Sequence, residues 1–541
     1  MCKEESITMV EPISPEERSR RLRAARRELQ ERFGMLPTAF STDGRTFDFH
    51  APLGSAIVVG GYVRIETHDE RVILGQVLDQ QVEIQEGPEI DLASMAQDEN
   101  VSIQGVSVAQ AKVKIQRYSQ RGNGVVLSEI TSATRARPGF EDASIAMASR
   151  EDIEQFFLDW AGRHSVVPLG TIEAGGESMP ISIDAGGFNR HTFLCGQSGS
   201  GKTYSLGVVL EQLLLGTDLR VAILDPNADY VRLGTLREGA PANDAEQALR
   251  DRYRQRTESL KVFRPDEQDI EGANPLRIRF SDLSPEDQAS TLQLDPLANR
   301  DEFDSFWSMV RRVGKEQYQL QDVHRSAQND LSESTRHVLL RIANLGVADW
   351  RIWANDEQES LADVLDTDWR SLVLDLSRFD RPVERSLVAL ATLRHFWARR
   401  EERKPVLLVV DEAHNVCPSE PIDSIQQAAT DLMISIAGEG RKYGIYLFLA
   451  TQRPDKLHPN VISQCDNLML MRMNSQADIE RLAEIFSFVP RGLLGEAAAF
   501  RQGEALLAGK TVPSPMTVRI GGRLSAEGGM DIPTDWATAR E

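Results

Sequence analysis

Gly196-Gln197-Ser198-Gly199-Ser200-Gly201-Lys202-Thr203 fits the pattern G-x-x-x-x-G-K-[ST], a loop built to hold phosphate. Its glycines let backbone N–H groups turn inward onto phosphate oxygens. Lys202 brings a point charge to the β- and γ-phosphates, and the Thr203 hydroxyl is suited to ligate Mg²⁺. Tyr204 opens the helical pattern that follows, whose positive N-terminal end faces the same anion, and is expected with Gly196–Thr203 among the nucleotide-binding residues. Some two hundred residues on, the apolar run Pro405-Val406-Leu407-Leu408-Val409-Val410 ends in Asp411 and Glu412. Asp411 is placed to hold Mg²⁺ through its water shell. Glu412, pointing elsewhere, is placed to polarise the attacking water. The two stretches predict Mg²⁺-dependent hydrolysis of a nucleoside triphosphate.

Elements must bring these stretches together. The strand candidates around them are His191–Cys195, Val221–Asp225, Ser371–Leu376, Val406–Asp411, Ile445–Ala450 and Leu468–Met473, separated by helical patterns. That rhythm predicts an α/β, RecA-like core with a mostly parallel, doubly wound sheet, which offers ligands the carboxyl ends of its strands. The core is expected over 191–239 and 366–500. A helical insertion is expected over 240–365, with helices at Asp301–Val313 and Glu333–Leu345 and a helix start at Leu283-Ser284-Pro285-Glu286-Asp287. Residues 501–541 are read as strands (Glu504–Ala508, Met516–Ile520) and a tail.

Ahead of the core the period changes. Ile57–Val59, Tyr62–Ile65, Val72–Val77, Val101–Ile103, Val113–Ile115 and Val125–Leu127 are short strand-like runs, with turns at Gly60-Gly61 and His68-Asp69-Glu70. They predict a small β-barrel over 45–134, followed by a connecting segment over 135–190. Residues 1–44 hold a basic helix and linker. Ser14-Pro15-Glu16-Glu17 caps the helix, Leu22, Ala25, Leu29 and Phe33 make its apolar stripe, and Arg18, Arg20, Arg21, Arg23, Arg26, Arg27 and Arg32 supply its charge.

The chain of 541 residues, 41% apolar and 26% charged, is long enough for several globular domains. No apolar stretch approaches the ~20 residues that span a bilayer, and Met1–Ser14 lacks a signal-peptide core. Cys2, Cys195, Cys417 and Cys465 lie far apart. They are expected as reduced thiols, which fits a cytoplasmic protein without membrane association. The net charge of −21 describes the average surface and leaves a local basic groove possible.

The combination resembles the HerA-like branch of the HerA/FtsK superfamily of hexameric ATP-driven DNA translocases. The barrel, Val167-Pro168-Leu169-Gly170, the insertion and the core all carry the resemblance. Leu224-Asp225-Pro226-Asn227-Ala228-Asp229-Tyr230 is similar to the family's acidic motif, with Ala228 and Asp229 standing where the family has Gly and Glu. Glu439-Gly440-Arg441-Lys442-Tyr443-Gly444 and Leu449-Ala450-Thr451-Gln452-Arg453-Pro454 resemble its arginine and polar-sensor stretches. The resemblance implies that Asp225 joins Thr203 and Asp411 near the metal, and that Gln452 contacts the γ-phosphate or the water. It makes Arg441 a finger reaching a neighbouring subunit's site, with Arg453 as the competing candidate. It further implies a homohexamer, double-stranded DNA in a central pore, and a separate nuclease or NAD-consuming effector docked at the barrel end. The acidic balance supports a second reading, an ATP-dependent ring scaffold that regulates such an effector with little DNA movement. The loops Asn415–Ser424 and Asp455–Asn460 are the candidate DNA contacts.

Overall fold

The computed structural model describes residues 36–91, 112–129, 138–265, 272–327, 329–330, 332–355 and 357–528. The basic helix over 14–34, the run Val101–Ile103 and the end of the polar tail lie outside them. The chain divides into two compact units, Met1–Phe156 and Phe157–Glu541.

The first unit is a closed six-stranded barrel. Its strands are β1 (Thr38–Ser41), β2 (Thr46–Pro52), β3 (Tyr62–Glu66), β4 (Val72–Asp91), β5 (Lys112–Glu129) and β6 (Phe140–Met147), in the order β1-β2-β5-β4-β3-β6. Alternation in β2 sends Phe47, Phe49 and Ala51 into the core. Gly124 and Gly122 of β5 stand directly opposite Phe47 and Phe49. A Cβ on Gly124 would lie 2.2 Å from the Phe47 ring, so the glycines make room for the two aromatics.

The barrel is larger than the sequence reading, since β1 precedes residue 45 and β6 follows residue 134. Ile57–Val59 is not a strand. It lies in a loop between Gly54 and Gly60, both at positive φ (95° and 77°), where Ile57 plugs the barrel core. The runs Val113–Ile115 and Val125–Leu127 belong to a single strand, β5.

The second unit is built on a twelve-stranded sheet. Its strands are β7 (Val166–Ala174), β8 (Glu177–Asp184), β9 (His191–Cys195), β10 (Arg220–Asp225), β11 (Lys261–Arg264), β12 (Asn274–Pro275), β13 (Ser371–Asp375), β14 (Val406–Val410), β15 (Ile445–Thr451), β16 (Cys465–Met471), β17 (Glu504–Ala508) and β18 (Met516–Ile520). The order is β12-β11-β13-β10-β14-β15-β9-β16-β17-β18-β7-β8. Pairing is parallel from β12 to β16 and antiparallel from there to β8. Every residue of β9, β13 and β14 is buried, as strands covered on both faces require.

Two expected boundaries move. The segment 135–190 is not only a connection, because its β7 and β8 complete the antiparallel edge through β18. The interval 240–365 is not wholly helical. Lys261–Arg264 pairs with β13, a four-residue strand too short to show a period. The helices Pro285–Thr291, Arg300–Val313, Leu320–Ser326 and Glu333–Leu345 follow it. Ser284 caps the first of them from its side chain, with Pro285 at the opening position. Among the described residues no helix is long and apolar enough to cross a membrane.

Candidate active site

Sheet order sets the site. β9 delivers the phosphate loop and β14 delivers Asp411, with β15 between them. Both strands end at the carboxyl edge of the sheet, where helix N-termini and loops gather around a ligand. Thr451 pairs in register with Cys195, so Gln452 leaves β15 beside Gly196. Its side chain is exposed.

The loop has the cradle form. Gly201 caps the helix Lys202–Gly216 at φ 94°, a conformation that strains any side chain. At Gly196 a Cβ would stand 2.7 Å from Ser200 Oγ and 2.8 Å from Met471 Cβ. Gln197 accepts the Asn474 N–H through its side chain, Ser198 and Gly199 are exposed, and Ser200 Oγ is buried without a hydrogen-bond partner among the described residues.

Lys202 Nζ donates to Asp411 Oδ1 at 2.6 Å and lies 3.2 Å from Glu412 Oε1. Burial works against its ammonium, yet the charges of Asp411 and Glu412 outweigh that cost and hold its pKa above the usual lysine value. Among the described residues Asp411 Oδ2 is buried without a hydrogen-bond partner, so this carboxylate keeps a free lone pair in the cradle. Glu412 sits at φ 45°, a left-handed backbone that costs a non-glycine residue about 1–3 kcal/mol and clusters at functional sites.

The carboxylate facing Thr203 is Asp229, whose Oδ2 lies 3.4 Å from the hydroxyl. Asp225 does not take that place. At the end of β10 its carboxylate turns into the following turn and accepts the N–H groups of Asn227, Asp229 and Tyr230 at 3.3, 3.0 and 2.8 Å. Burial pushes its pKa up to about 8 against those hydrogen bonds. Asp225 thus shapes the turn, with Ala228 at φ 62°, that presents Asp229. Thr203, Asp411 and Asp229 form a hard-oxygen donor set with one orphaned carboxylate oxygen, which suits Mg²⁺ shared with phosphate oxygens.

Tyr204 is also placed differently from the expectation. Its hydroxyl accepts the Arg523 N–H at 2.8 Å and its ring lies under Arg237, so it packs on the C-terminal segment rather than toward the cradle. That segment grips the same helix face, where buried Glu211 accepts the N–H groups of Leu524 and Ser525.

Arg441 lies in the turn before β15, at the opposite edge of the sheet from its own phosphate loop. It is ion-paired to Asp466 of the same chain, which Arg190 also approaches at 3.4 Å. Arg453 is exposed on the phosphate-loop side, just after Thr451. The two candidate DNA loops meet each other: Ser419 donates to the Lys456 carbonyl and His458 to that of Cys417.

Sequence reasoning missed His414, which touches both Glu412 and Thr451, and Arg472, whose guanidinium reaches the Gly199 carbonyl at 3.4 Å. Only the place of His414, three residues after Asp411, hinted at it.

Fold and site define a P-loop ATPase core. Residues 167–396 match the family described as "Helicase HerA, central domain", and residues 373–473 match "ATPase family associated with various cellular activities (AAA)". The stretch 167–396, less than half of the chain, is thus similar to the central domain of the HerA helicases. It is 34% identical over 129 residues to the "Probable DNA double-strand break repair helicase HerA" of Methanocaldococcus jannaschii, which is 24% of this chain and 25% of that one. The chain therefore spans a quarter of that relative's length. The "DNA double-strand break repair helicase HerA" of Sulfurisphaera tokodaii is 23% identical over 445 residues, 75% of this chain and 78% of that one. Among solved structures, VirB4 of Thermoanaerobacter pseudethanolicus aligns over 66% of this chain and 96% of its own, at 16% identity and a TM-score of 0.45.

Proposed function

We propose that this chain is the motor subunit of a homohexameric ring that hydrolyses ATP with Mg²⁺ and moves double-stranded DNA through a central pore. The observation that carries the reading is the Lys202–Asp411–Glu412 cluster at the phosphate loop, in a chain that matches the HerA central domain. The loop N–H groups and Lys202 bind the β- and γ-phosphates. Mg²⁺, when bound, neutralises phosphate charge, and Thr203, Asp411 and Asp229 would hold it. Glu412 accepts a proton from the water that attacks the γ-phosphorus as ADP departs, and Gln452 orients that water. Arg441 of a neighbouring subunit, released from Asp466, stabilises the charge that develops, an effect worth roughly 10³–10⁵ in rate where such arginines are measured.

DNA contacts fall to the paired loops 415–424 and 455–460. A separate nuclease or NAD-consuming protein docks at the barrel end, and the assembly works in the cytoplasm. The net charge of −21 favours the scaffold reading in one respect, since it opposes nonspecific attraction to DNA. ATP turnover measured with and without duplex DNA separates the two. The motor reading expects duplex to stimulate turnover. Turnover indifferent to DNA, together with ATP-dependent capture of an effector, would leave the scaffold.

A further inference from the structure

His414 sits at a junction that the phosphate-binding residues do not explain. Its Nδ1 lies 2.9 Å from Thr451 Oγ1 and 3.3 Å from Glu412 Oε2. Thr451 Oγ1 also accepts the Arg453 N–H at 3.0 Å, which fixes the hydroxyl at the end of β15, immediately before Gln452. The other oxygen of Glu412, Oε1, faces Lys202. The Glu412 carboxylate therefore lies between the phosphate-binding lysine and an imidazole anchored to the neighbouring strand; its Oε2 is buried without a hydrogen-bond partner among the described residues, so His414 confines it by close approach rather than by a hydrogen bond.

These two restraints differ in what nucleotide does to them. Phosphate oxygens compete for Lys202 and draw it off the carboxylates. His414 has no phosphate to answer and stays on Thr451. Once nucleotide is bound, His414 is thus the group that keeps Glu412, on its left-handed backbone, aimed at one place. It also ties that aim to the strand end that carries Gln452.

We infer that His414 is a positioning residue that sets the Glu412 carboxylate against the attacking water and couples it to the Thr451–Gln452 strand end. The inference rests on Glu412 being the water-polarising carboxylate. A residue of this kind acts on the chemical step and leaves nucleotide binding alone.

The test compares the full-length protein with His414→Ala, His414→Asn, Glu412→Gln and the double variant His414→Ala/Glu412→Gln. Steady-state ATP turnover gives kcat and KM. Binding of a fluorescent non-hydrolysable ATP analogue and the melting temperature are read in parallel. Expected for His414→Ala is a fall in kcat of about tenfold or more, within the range that a proton-accepting group contributes. KM and analogue affinity should stay within about twofold of native. His414→Asn, whose amide nitrogen can occupy the Nδ1 position, should recover most of the loss. In the Glu412→Gln background His414→Ala should add nothing, because the group it positions is gone. Native kcat in His414→Ala beside an inactive Glu412→Gln overturns the inference and leaves the role of Glu412 intact. Equal losses of kcat and analogue affinity, without recovery by Asn, also overturn it by marking a merely structural contact. Full turnover by Glu412→Gln removes the reading of Glu412, and the inference with it.

Discussion

At Lys202 a buried ammonium faces two carboxylates at 2.6 and 3.2 Å, so removing the lysine leaves two acids crowded together beside the phosphate cradle. Lys202→Ala should therefore weaken nucleotide binding or turnover sharply, through lost attraction and new repulsion of phosphate. Glu412→Gln keeps the cradle and loses only the proton acceptor, so ATP should bind near native affinity and stay uncleaved. Equilibrium binding beside turnover assays distinguishes the two. His191 offers a residue-scale test of stability instead. It is fully buried, with Nε2 at 3.0 Å from the Ala437 carbonyl and Nδ1 accepting the Leu447 N–H at 2.9 Å. Burial lowers its pKa from 6.5 to about 4, helped by the nearby Arg441. The unfolded chain binds the proton more readily, so the contribution of His191 is fully present above pH 6.5 and is lost as pH falls toward 4. The loss is up to roughly 3 kcal/mol. His191→Gln, which keeps a donor and an acceptor, should flatten that part of the profile in urea unfolding at pH 7.5 and pH 5. A native slope unchanged by the substitution would contradict the neutral imidazole.

The elements follow from local chemistry where that chemistry is contiguous. In the barrel, β2 and β5 fit because Phe47 and Phe49 fall opposite Gly124 and Gly122. Gly124→Ala would place a Cβ 2.4 Å from the Gln76 carbonyl as well as against the Phe47 ring. That overpacking should cost about 1–3 kcal/mol in thermal unfolding, and a variant as stable as native would refute the packing described. The same contrast explains what the sequence made legible. The phosphate loop, Asp411 and Glu412, and the strands β9, β10, β13, β14 and β15 each lie in one unbroken run of residues, so pattern alone finds them. β1 and β6 stayed hidden because their partners lie about a hundred residues apart in the chain, and the β6 run Phe140-Glu141-Asp142-Ala143 is too acidic to read as a strand. β11 was hidden by its length of four residues. At the site, the turn of Asp225 into its own loop and the substitution of Asp229 at Thr203 depend on backbone direction after β10. The meeting of His414 with Thr451 depends on β14 and β15 being neighbours. Neither is written in a motif.

For the whole molecule, Arg441 carries the argument for a ring. It stands at the far edge of the sheet from its own phosphate loop, about a third exposed and paired with Asp466, so any nucleotide it reaches belongs to another subunit. A homohexamer is the expected mass in mass photometry with ATP and Mg²⁺. A protein monomeric at micromolar concentration would count against both the motor and the scaffold. Co-expressing Arg441→Ala with Glu412→Gln subunits should restore part of the turnover that each lacks alone, because some interfaces then pair an intact Glu412 with a neighbour's intact Arg441. No recovery in verified mixed rings, with recovery for Arg453→Ala in its place, would transfer the finger to Arg453. The central claim, that ATP hydrolysis at this site drives movement along duplex DNA, is tested most directly by displacement of a triplex-forming strand from a linear duplex. The account predicts displacement by the native protein that requires ATP and Mg²⁺ and disappears in Glu412→Gln. ATP hydrolysis by the native protein on that same duplex, with the third strand left in place, would contradict it.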